Sequence, residues 1–132
     1  MDLKILEIAS NTENNKIVKN HTHIAKNKNP ICGDEMEISL KVKYDIILDF
    51  GYQCKSCIYC QASASLLSTS SKNKKISILK KLIKNTESIF IENSNEFLKE
   101  WSEFKILFAK KNISRKECIL LPFKTLSKAL KL

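Results

Sequence analysis

Residues 35–43 alternate between polar and apolar side chains without a break. The apolar members are Met36, Ile38, Leu40 and Val42. A period of two is typical of a strand that buries one face against a core. A second apolar segment, 45–52, follows almost at once and is predicted to be a strand that pairs with the first. The centre of the chain is therefore predicted to form a small sheet.

Helices are predicted on the C-terminal side of these strands. The small and apolar residues of 61–71 favour a helix that begins near Cys60 and packs closely on the sheet, which leaves Cys57 at a strand-to-helix junction. Residues 74–84 and 96–110 carry apolar side chains at spacings of three and four, so each is predicted to be an amphipathic helix. The expected fold class is α+β, with a small antiparallel sheet packed against several helices.

Pro122 bears on the last predicted helix, over 121–130. Proline fits the first turn of a helix but destabilises a helix interior by about 3 kcal/mol. This helix is therefore expected to begin close to Leu121 and to leave Cys118 just before its N-terminus. A thiolate at that point would be stabilised by the positive end of the helix.

The length of 132 residues suits one domain, because two cores in a chain this short would each bury too little surface. A hydrophobic fraction of 43% and a charged fraction of 28% are typical of globular domains. Residues 1–29 offer little to a core beyond a short helix-like patch and are expected to form a mobile N-terminal arm. We therefore expect a single domain over 1–132 that starts with this arm.

No apolar run is long enough to cross a bilayer, and the N-terminus lacks the pattern of a secretory signal. A cytoplasmic location is expected, in which the five cysteines stay reduced and available for metal binding. The formal charge of +9 comes almost wholly from lysine, whereas nucleic-acid readers usually use arginine. Neither a nucleic acid nor a membrane is expected as a partner.

Cys32 and Asp34 are separated by Gly33, which lets the backbone turn so that both side chains face one point. With Cys57 and Cys118 they would supply three thiolates and one carboxylate. That set suits a closed tetrahedral zinc site or part of an iron–sulfur cluster. Spacing along the chain does not decide between the two.

Cys54, Cys57 and Cys60 form a C-x-x-C-x-x-C run that also begins a ferredoxin-type cluster motif. A fourth cysteine of that run is missing, so Cys57 is the preferred metal ligand. Cys60 is then a packed helix thiol or an auxiliary sulfur carrier, and Cys54 a half-exposed strand residue. His21 and His23 lie in a polar stretch, where solvated histidines are common, and neither is assigned to the site.

Three motifs, in the same order, resemble those of the SufU and IscU proteins. NPICGDEMEISLKV is similar to their N-P-x-C-G-D strand entry, CIYCQASAS to their G-C-x-x-x-x-A-S-A-S element, and RKECILLPFKTLSKAL to their R-x-x-C-x-x-L-x-W-x-x-L ending. The long interval between Cys57 and Cys118 resembles the SufU branch. So does Glu117, because IscU proteins have histidine there.

The resemblance implies a SufE/IscU-like scaffold that binds zinc through Cys32, Asp34, Cys57 and Cys118. It implies that Cys32 accepts persulfide sulfur from a SufS-like cysteine desulfurase, and that sulfur or a cluster passes to apo iron–sulfur proteins or a downstream scaffold. Arg115 matches the family arginine and would stabilise a thiolate or persulfide, unless it is a plain surface arginine.

A protein of this kind would act in iron–sulfur cluster assembly as a zinc-dependent sulfurtransferase. The alternatives are a scaffold that assembles and transfers a transient [2Fe–2S] cluster, and a structural zinc domain in a binding protein. The first two share the same site residues and differ in the metal that the protein holds at rest.

Overall fold

The computed structural model describes residues 3–31, 33–92 and 101–132. The helices are α1 Leu3–Ala9, α2 Ile58–Ser71, α3 Ile76–Glu92 and α4 Lys116–Leu130, and the strands are β1 His23–Lys28, β2 Glu35–Lys43 and β3 Ile46–Lys55. Two 3₁₀ helices, Ser102–Ile106 and Lys110–Arg115, precede α4. Across these ranges no helix has both the length and the apolar character needed to span a bilayer.

The hairpin indicated by the alternating residues is β2 paired antiparallel with β3. Tyr44 and Asp45 connect the two strands with φ angles of 54° and 60°. Positive φ at both positions is the geometry of a type I′ turn, whose twist suits a two-residue hairpin. The register puts Glu35 opposite Lys55, so the start of β2 and the end of β3 lie at the same end of the sheet.

Helices α2 and α4 cover the apolar face of the sheet, α2 on β3 and α4 on β1 and β2. The two helices are linked where the Ser63 hydroxyl donates to the Ile119 carbonyl over 2.7 Å. Phe104 and Phe123 pack in the same core, with ring centroids 5.6 Å apart. This arrangement confirms the predicted α+β fold class.

The third strand, β1, lies within the segment predicted to be a mobile arm, and it pairs antiparallel with β2. Several side chains of that segment are buried, contrary to the expectation that it offers little to the core: Ile5, Ala9, Val18 and Ala25. The described part of the segment is therefore packed on the sheet and on α2. Its mobility in solution and the single-domain organisation of the chain stay predictions.

Residues 14–18, called the crossing segment below, run over the outer face of the sheet. The Lys16 N–H donates to the Tyr52 carbonyl over 3.0 Å. The Val18 N–H donates to Ser39 Oγ over 2.9 Å. Ser39 points away from the α2 and α4 side of the sheet, because side chains alternate along β2. The crossing segment thus leads the chain from one edge of the sheet to the other.

Polar side chains secure the crossing segment against β3 and the end of α2. Asn14 donates from Nδ2 to Ser68 Oγ over 3.0 Å and accepts a hydrogen bond from Lys72. Asp49 forms ion pairs with Lys16 at 3.1 Å and with Lys72 at 3.5 Å. Both polar ends of the buried Asn14 amide therefore have partners.

The last helix begins earlier than the sequence predicted. α4 starts at Lys116 rather than near Leu121, so Cys118 lies in its first turn and Pro122 inside it. Pro122 has no N–H to donate to the Cys118 carbonyl, which costs a backbone hydrogen bond. Its side chain is buried, and that burial offsets the cost.

The predicted helix over 96–110 also differs. Its described part contains the 3₁₀ helix Ser102–Ile106 rather than an α-helix, and residues 96–100 lie outside the described residues. The apolar spacing reflects the burial of Phe104 and Phe108 against Phe123, with centroid distances of 5.6 and 5.7 Å.

Candidate metal centre

Three separate segments of the chain meet at the end of the sheet where β2 begins and β3 ends. Asp34 immediately precedes β2, and Cys57 is the N-cap residue of α2, just after β3. The pairing of Glu35 with Lys55 holds these two positions at the same end of the sheet. The packing of α4 along α2 brings Cys118, in the first turn of α4, to the same point.

One carboxylate oxygen of Asp34 and the Sγ atoms of Cys57 and Cys118 all lie within 4.8 Å of one another. Ligand atoms around a tetrahedral zinc ion, with Zn–S bonds near 2.3 Å, are about 3.5–3.8 Å apart. A small inward movement of the three side chains would therefore suffice to coordinate an ion. Asp34 is 8% exposed and Cys118 5%, so a bound ion would be shielded from water on that side.

Asp34 Oδ2 is buried and has no hydrogen-bond partner among the residues described. A buried carboxylate oxygen without a donor is costly, and native proteins rarely tolerate one without a reason. A cation would provide the missing partner. The combination of thiolates with one carboxylate is a ligand set that zinc accepts. The residues present thus fit a zinc ion.

Asn29 organises the turn that leads into Asp34. Its N–H donates to the Asp34 carbonyl over 2.8 Å, and its own carbonyl accepts from the Gly33 N–H over 2.8 Å. Its side-chain Oδ1 accepts from the Ile31 N–H over 3.0 Å. Gly33 has φ of +77°, as its predicted role in a tight turn requires. Cys32, the predicted ligand and sulfur acceptor, lies outside the described residues.

Arg115 directly precedes α4, and its guanidinium lies over the Tyr59 ring, 5.5 Å from the ring centroid. Tyr59 belongs to the first turn of α2. The contact therefore joins the two helix starts that carry Cys57 and Cys118. The predicted role of Arg115 in stabilising a thiolate or persulfide stays a prediction.

Cys54 and Cys60 flank Cys57 along the chain but have different surroundings. Cys60 has no exposed surface, and burial raises the pKa of its thiol. Cys54 is half-buried near the end of β3, and burial raises the pKa of its thiol as well. Within the described residues neither thiol joins the group of Asp34, Cys57 and Cys118. The geometry favours Cys57 as a ligand over a cluster built on Cys54, Cys57 and Cys60.

The two histidines contact groups close to them in sequence. His21 Nδ1 lies 3.2 Å from the Val18 carbonyl oxygen, and His23 Nδ1 lies 2.7 Å from the Thr22 hydroxyl. Neither is part of the candidate metal centre, since among the described residues only the carboxylate and two thiols come together.

Sequence reasoning missed two residues that support the centre, Asn29 and Tyr59. The Asn29-Pro30 dipeptide is a turn signal that could have drawn attention to Asn29. Tyr59 carries no such signal, because its contact with Arg115 depends on how α2 and α4 pack.

Comparison with known proteins identifies the family. The model of the NifU-like N terminal domain matches residues 2–96. The iron–sulfur cluster assembly scaffold protein IscU of Thermotoga maritima is 30% identical over 132 residues, which cover 96% of this chain and 89% of that protein. The zinc-dependent sulfurtransferase SufU of Bacillus subtilis is 34% identical over 62 residues. This second match covers 47% of the chain and 42% of that protein.

Solved structures share the fold. The SUF-system iron–sulfur cluster assembly scaffold protein of Fervidobacterium islandicum AW-1 superposes with a TM-score of 0.88 at 23% identity, over 98% of this chain and 96% of that one. The N-terminal NifU-like protein of Brucella abortus gives 0.85 at 21% identity, over 98% and 91%. The resemblance drawn from the three motifs is confirmed, and the chain belongs to the NifU-like N-terminal domain family of iron–sulfur cluster assembly scaffolds, together with IscU and SufU.

Proposed function

We propose that this protein is a zinc-dependent acceptor of persulfide sulfur from a cysteine desulfurase and belongs to the SufU branch of its family. The observation that carries the proposal is the group of Asp34, Cys57 and Cys118, within 4.8 Å of one another around a buried carboxylate oxygen. A carboxylate is a harder ligand than a thiolate and holds zinc less firmly. Such a site suits an ion that must exchange a ligand in use.

Cys32, Asp34, Cys57 and Cys118 are the proposed ligands. A zinc ion bound by them would keep the thiols deprotonated without adding redox chemistry of its own. Cys57 is the N-cap residue of α2 and Cys118 lies in the first turn of α4, so two of the proposed ligands lie at helix starts. The burial of Asp34 and Cys118 excludes water from the inner side of the site.

Cys32 is the proposed sulfur acceptor. Its thiolate attacks the outer sulfur of the desulfurase persulfide, and a new sulfur–sulfur bond forms as the desulfurase cysteine leaves as a thiolate. One sulfur atom is transferred and no net oxidation occurs. The neighbouring Ile31 is 82% exposed, so the chain next to Cys32 is open to a partner.

The same residues could instead hold a [2Fe–2S] cluster that is built on the protein and then passed on. The Thermotoga maritima relative, whose match covers most of both chains, is named as a scaffold, and this favours the second candidate function. In either case the recipients would be apo iron–sulfur proteins or a downstream scaffold in the cytoplasm.

Metal analysis of the purified protein, combined with desulfurase turnover in its presence and absence, separates these functions. About one zinc per chain with faster turnover supports sulfur transfer. A coloured, labile iron–sulfur cluster without faster turnover supports the scaffold. Zinc with unchanged turnover would leave a structural site and overturn both.

The acceptor is tested with Cys32→Ser, which should abolish persulfide formation on the protein. Cys54→Ser is the matched control, because Cys54 lies outside the proposed ligand set and should leave sulfur transfer intact. Unchanged transfer in Cys32→Ser would remove Cys32 from the acceptor role.

A further inference from the structure

Cys57 and Cys60 form a C-x-x-C pair across the first turn of α2. Cys57 is the N-cap residue, and its carbonyl accepts a hydrogen bond from the Gln61 N–H over 3.1 Å, so the turn that encloses both cysteines is closed. Residues three apart on a helix have Cβ atoms about 5–6 Å apart. A disulfide requires Cβ atoms about 3.5–4.5 Å apart, so the two side chains would have to approach each other by about 1–2 Å. A small adjustment of this turn would therefore let the two sulfur atoms bond.

The two thiols differ in accessibility. Cys57 is half-buried at the positive end of α2, whereas Cys60 has no exposed surface and packs in the core. An oxidant from solution would therefore reach Cys57 first. Cys60 is placed to react afterwards, from within the same turn.

We propose that Cys57 and Cys60 are a peroxide-sensitive dithiol whose disulfide withdraws Cys57 from the metal centre. The Cys57 thiolate attacks one oxygen of a hydroperoxide, which gives a sulfenic acid at Cys57 and a hydroxide or alkoxide ion that takes a proton from water. The Cys60 thiol then attacks the sulfenic sulfur, and the hydroxyl group leaves as water with the Cys60 proton. The two thiols supply both electrons that reduce the peroxide.

The consequence for the metal rests on the proposed function, because it takes Cys57 as a zinc ligand. A disulfide sulfur no longer offers a thiolate, so the centre loses one of its ligands and binds zinc more weakly. A dithiol reductant restores both thiols by exchange. Peroxide would therefore switch the protein between a zinc-bound and a zinc-free form.

Peptide mapping tests the pair directly. The zinc-loaded protein is treated with stoichiometric hydrogen peroxide, its remaining thiols are alkylated, and it is digested with trypsin. Cleavage after Lys55 and Lys72 places Cys57 and Cys60 in the peptide 56–72, whereas Cys54 falls in 44–55. We expect 56–72 to escape alkylation and to be lighter by two hydrogen atoms, with zinc released in parallel and both changes reversed by dithiothreitol.

Two results would overturn the proposal: alkylated thiols in 56–72 after peroxide, or a cross-link between 44–55 and 56–72, which would make Cys54 the partner instead. Cys60→Ala, which keeps a small apolar side chain in the core, should lose both the disulfide and the stoichiometric zinc release. Cys54→Ser should behave as the unaltered protein does. Zinc release from Cys60→Ala at the unaltered rate would contradict the switch.

The zinc content before peroxide treatment separates a failure of the proposed metal centre from a failure of the proposed dithiol. Absence of zinc at that stage would show that the proposed metal centre is wrong. The state of the peptide 56–72 would still report on the dithiol.

Discussion

The crossing segment and the candidate metal centre both bury polar side chains, and they do so in opposite ways. The amide of Asn14 in the crossing segment has partners at both ends, Ser68 and Lys72. Asp34 in the metal centre has a buried carboxylate oxygen with no partner among the described residues. A satisfied buried group stabilises the fold, whereas an unsatisfied one destabilises it until a ligand arrives. The first region therefore stabilises the fold, and the second is proposed to bind a metal ion.

The largest expected effect comes from Asp34→Ala. Zinc affinity should fall by at least about 100-fold, since loss of even an outer-shell partner costs 10–100-fold. The zinc-free protein should keep its stability or gain some, because the change removes a buried oxygen without a partner. Competition with a chelator measures the affinity, and urea unfolding of the zinc-free protein measures the stability.

Asp49→Ala is the control for Asp34→Ala, because Asp49 pairs with Lys16 and Lys72 away from the metal centre. It should leave zinc affinity unchanged. A zinc-free Asp34→Ala protein that is destabilised by more than about 2 kcal/mol would show that the carboxylate is structural and would remove the contrast between the two regions.

Gly51→Ala should have the next largest effect. A Cβ at Gly51 would overlap the Lys16 backbone carbonyl oxygen, so the crossing segment would have to move off the sheet. Overpacking of this kind costs about 2–3 kcal/mol. Fluorescence of Trp101, the only tryptophan, follows unfolding in urea. One cooperative transition in the unaltered protein would support the single domain.

Gly33→Ala provides the comparison for Gly51→Ala. A Cβ at Gly33 meets open space, and only the positive φ of +77° opposes it, so about 1–2 kcal/mol is expected. If Gly51→Ala cost less than Gly33→Ala, the crossing segment would not be held closely on the sheet.

Asn14→Ala should destabilise the protein by about 1–2 kcal/mol, because it removes two hydrogen bonds from a side chain that is 2% exposed. Asn15→Ala is the matched control: its side chain is exposed, and the change should stay within about 0.5 kcal/mol. Urea unfolding measures both variants. Equal effects at the two positions would mean that the amide of Asn14 contributes nothing specific.

The smallest effect concerns pH. Burial alone would raise the pKa of Asp49, but the hydrogen bonds from Lys16 and the Phe50 N–H, together with the charges of Lys16 and Lys72, bring it below its ordinary value. A carboxyl whose pKa is lowered by folding stabilises the protein above the unfolded pKa and loses that contribution as pH falls through the folded pKa. The stabilising contribution of Asp49 to the crossing segment should therefore be lost in acid.

Asp49→Asn tests this pH dependence. The loss of stability between about pH 6 and pH 3 should be smaller in the variant than in the unaltered protein. The difference should stay below about 1 kcal/mol, since the Asp49 side chain is 32% exposed and water screens its ion pairs. An identical acid response in both proteins would show that Asp49 does not link pH to the crossing segment.

The sequence predicted β2, β3 and α2 because their side-chain patterns match their burial. It missed β1, whose residues HIAKNK contain one buried apolar side chain, Ala25. This strand forms through backbone pairing with β2 and contact with α4. Such tertiary contacts leave no local pattern to read.

Helix boundaries and site residues show the same limit. The expectation that Pro122 stands in the first turn of its helix misplaced the start of α4, because burial of the proline outweighs its cost inside a helix. The spacing of Asp34, Cys57 and Cys118 along the chain could not show that they meet. The motifs that resemble those of the SufU and IscU proteins, in contrast, implied all three as metal ligands. Their proximity follows from the β2–β3 register and from the packing of α4 on α2.

The most direct test of the metal centre is the absorption spectrum of the protein with cobalt(II) in place of zinc, since cobalt reports both geometry and thiolate ligands. A tetrahedral spectrum with thiolate-to-cobalt charge-transfer bands is expected, and these bands should weaken in Cys57→Ser and in Cys118→Ser but not in Cys54→Ser. An octahedral spectrum, or bands that survive unchanged in Cys57→Ser and Cys118→Ser, would contradict a metal centre built on Asp34, Cys57 and Cys118.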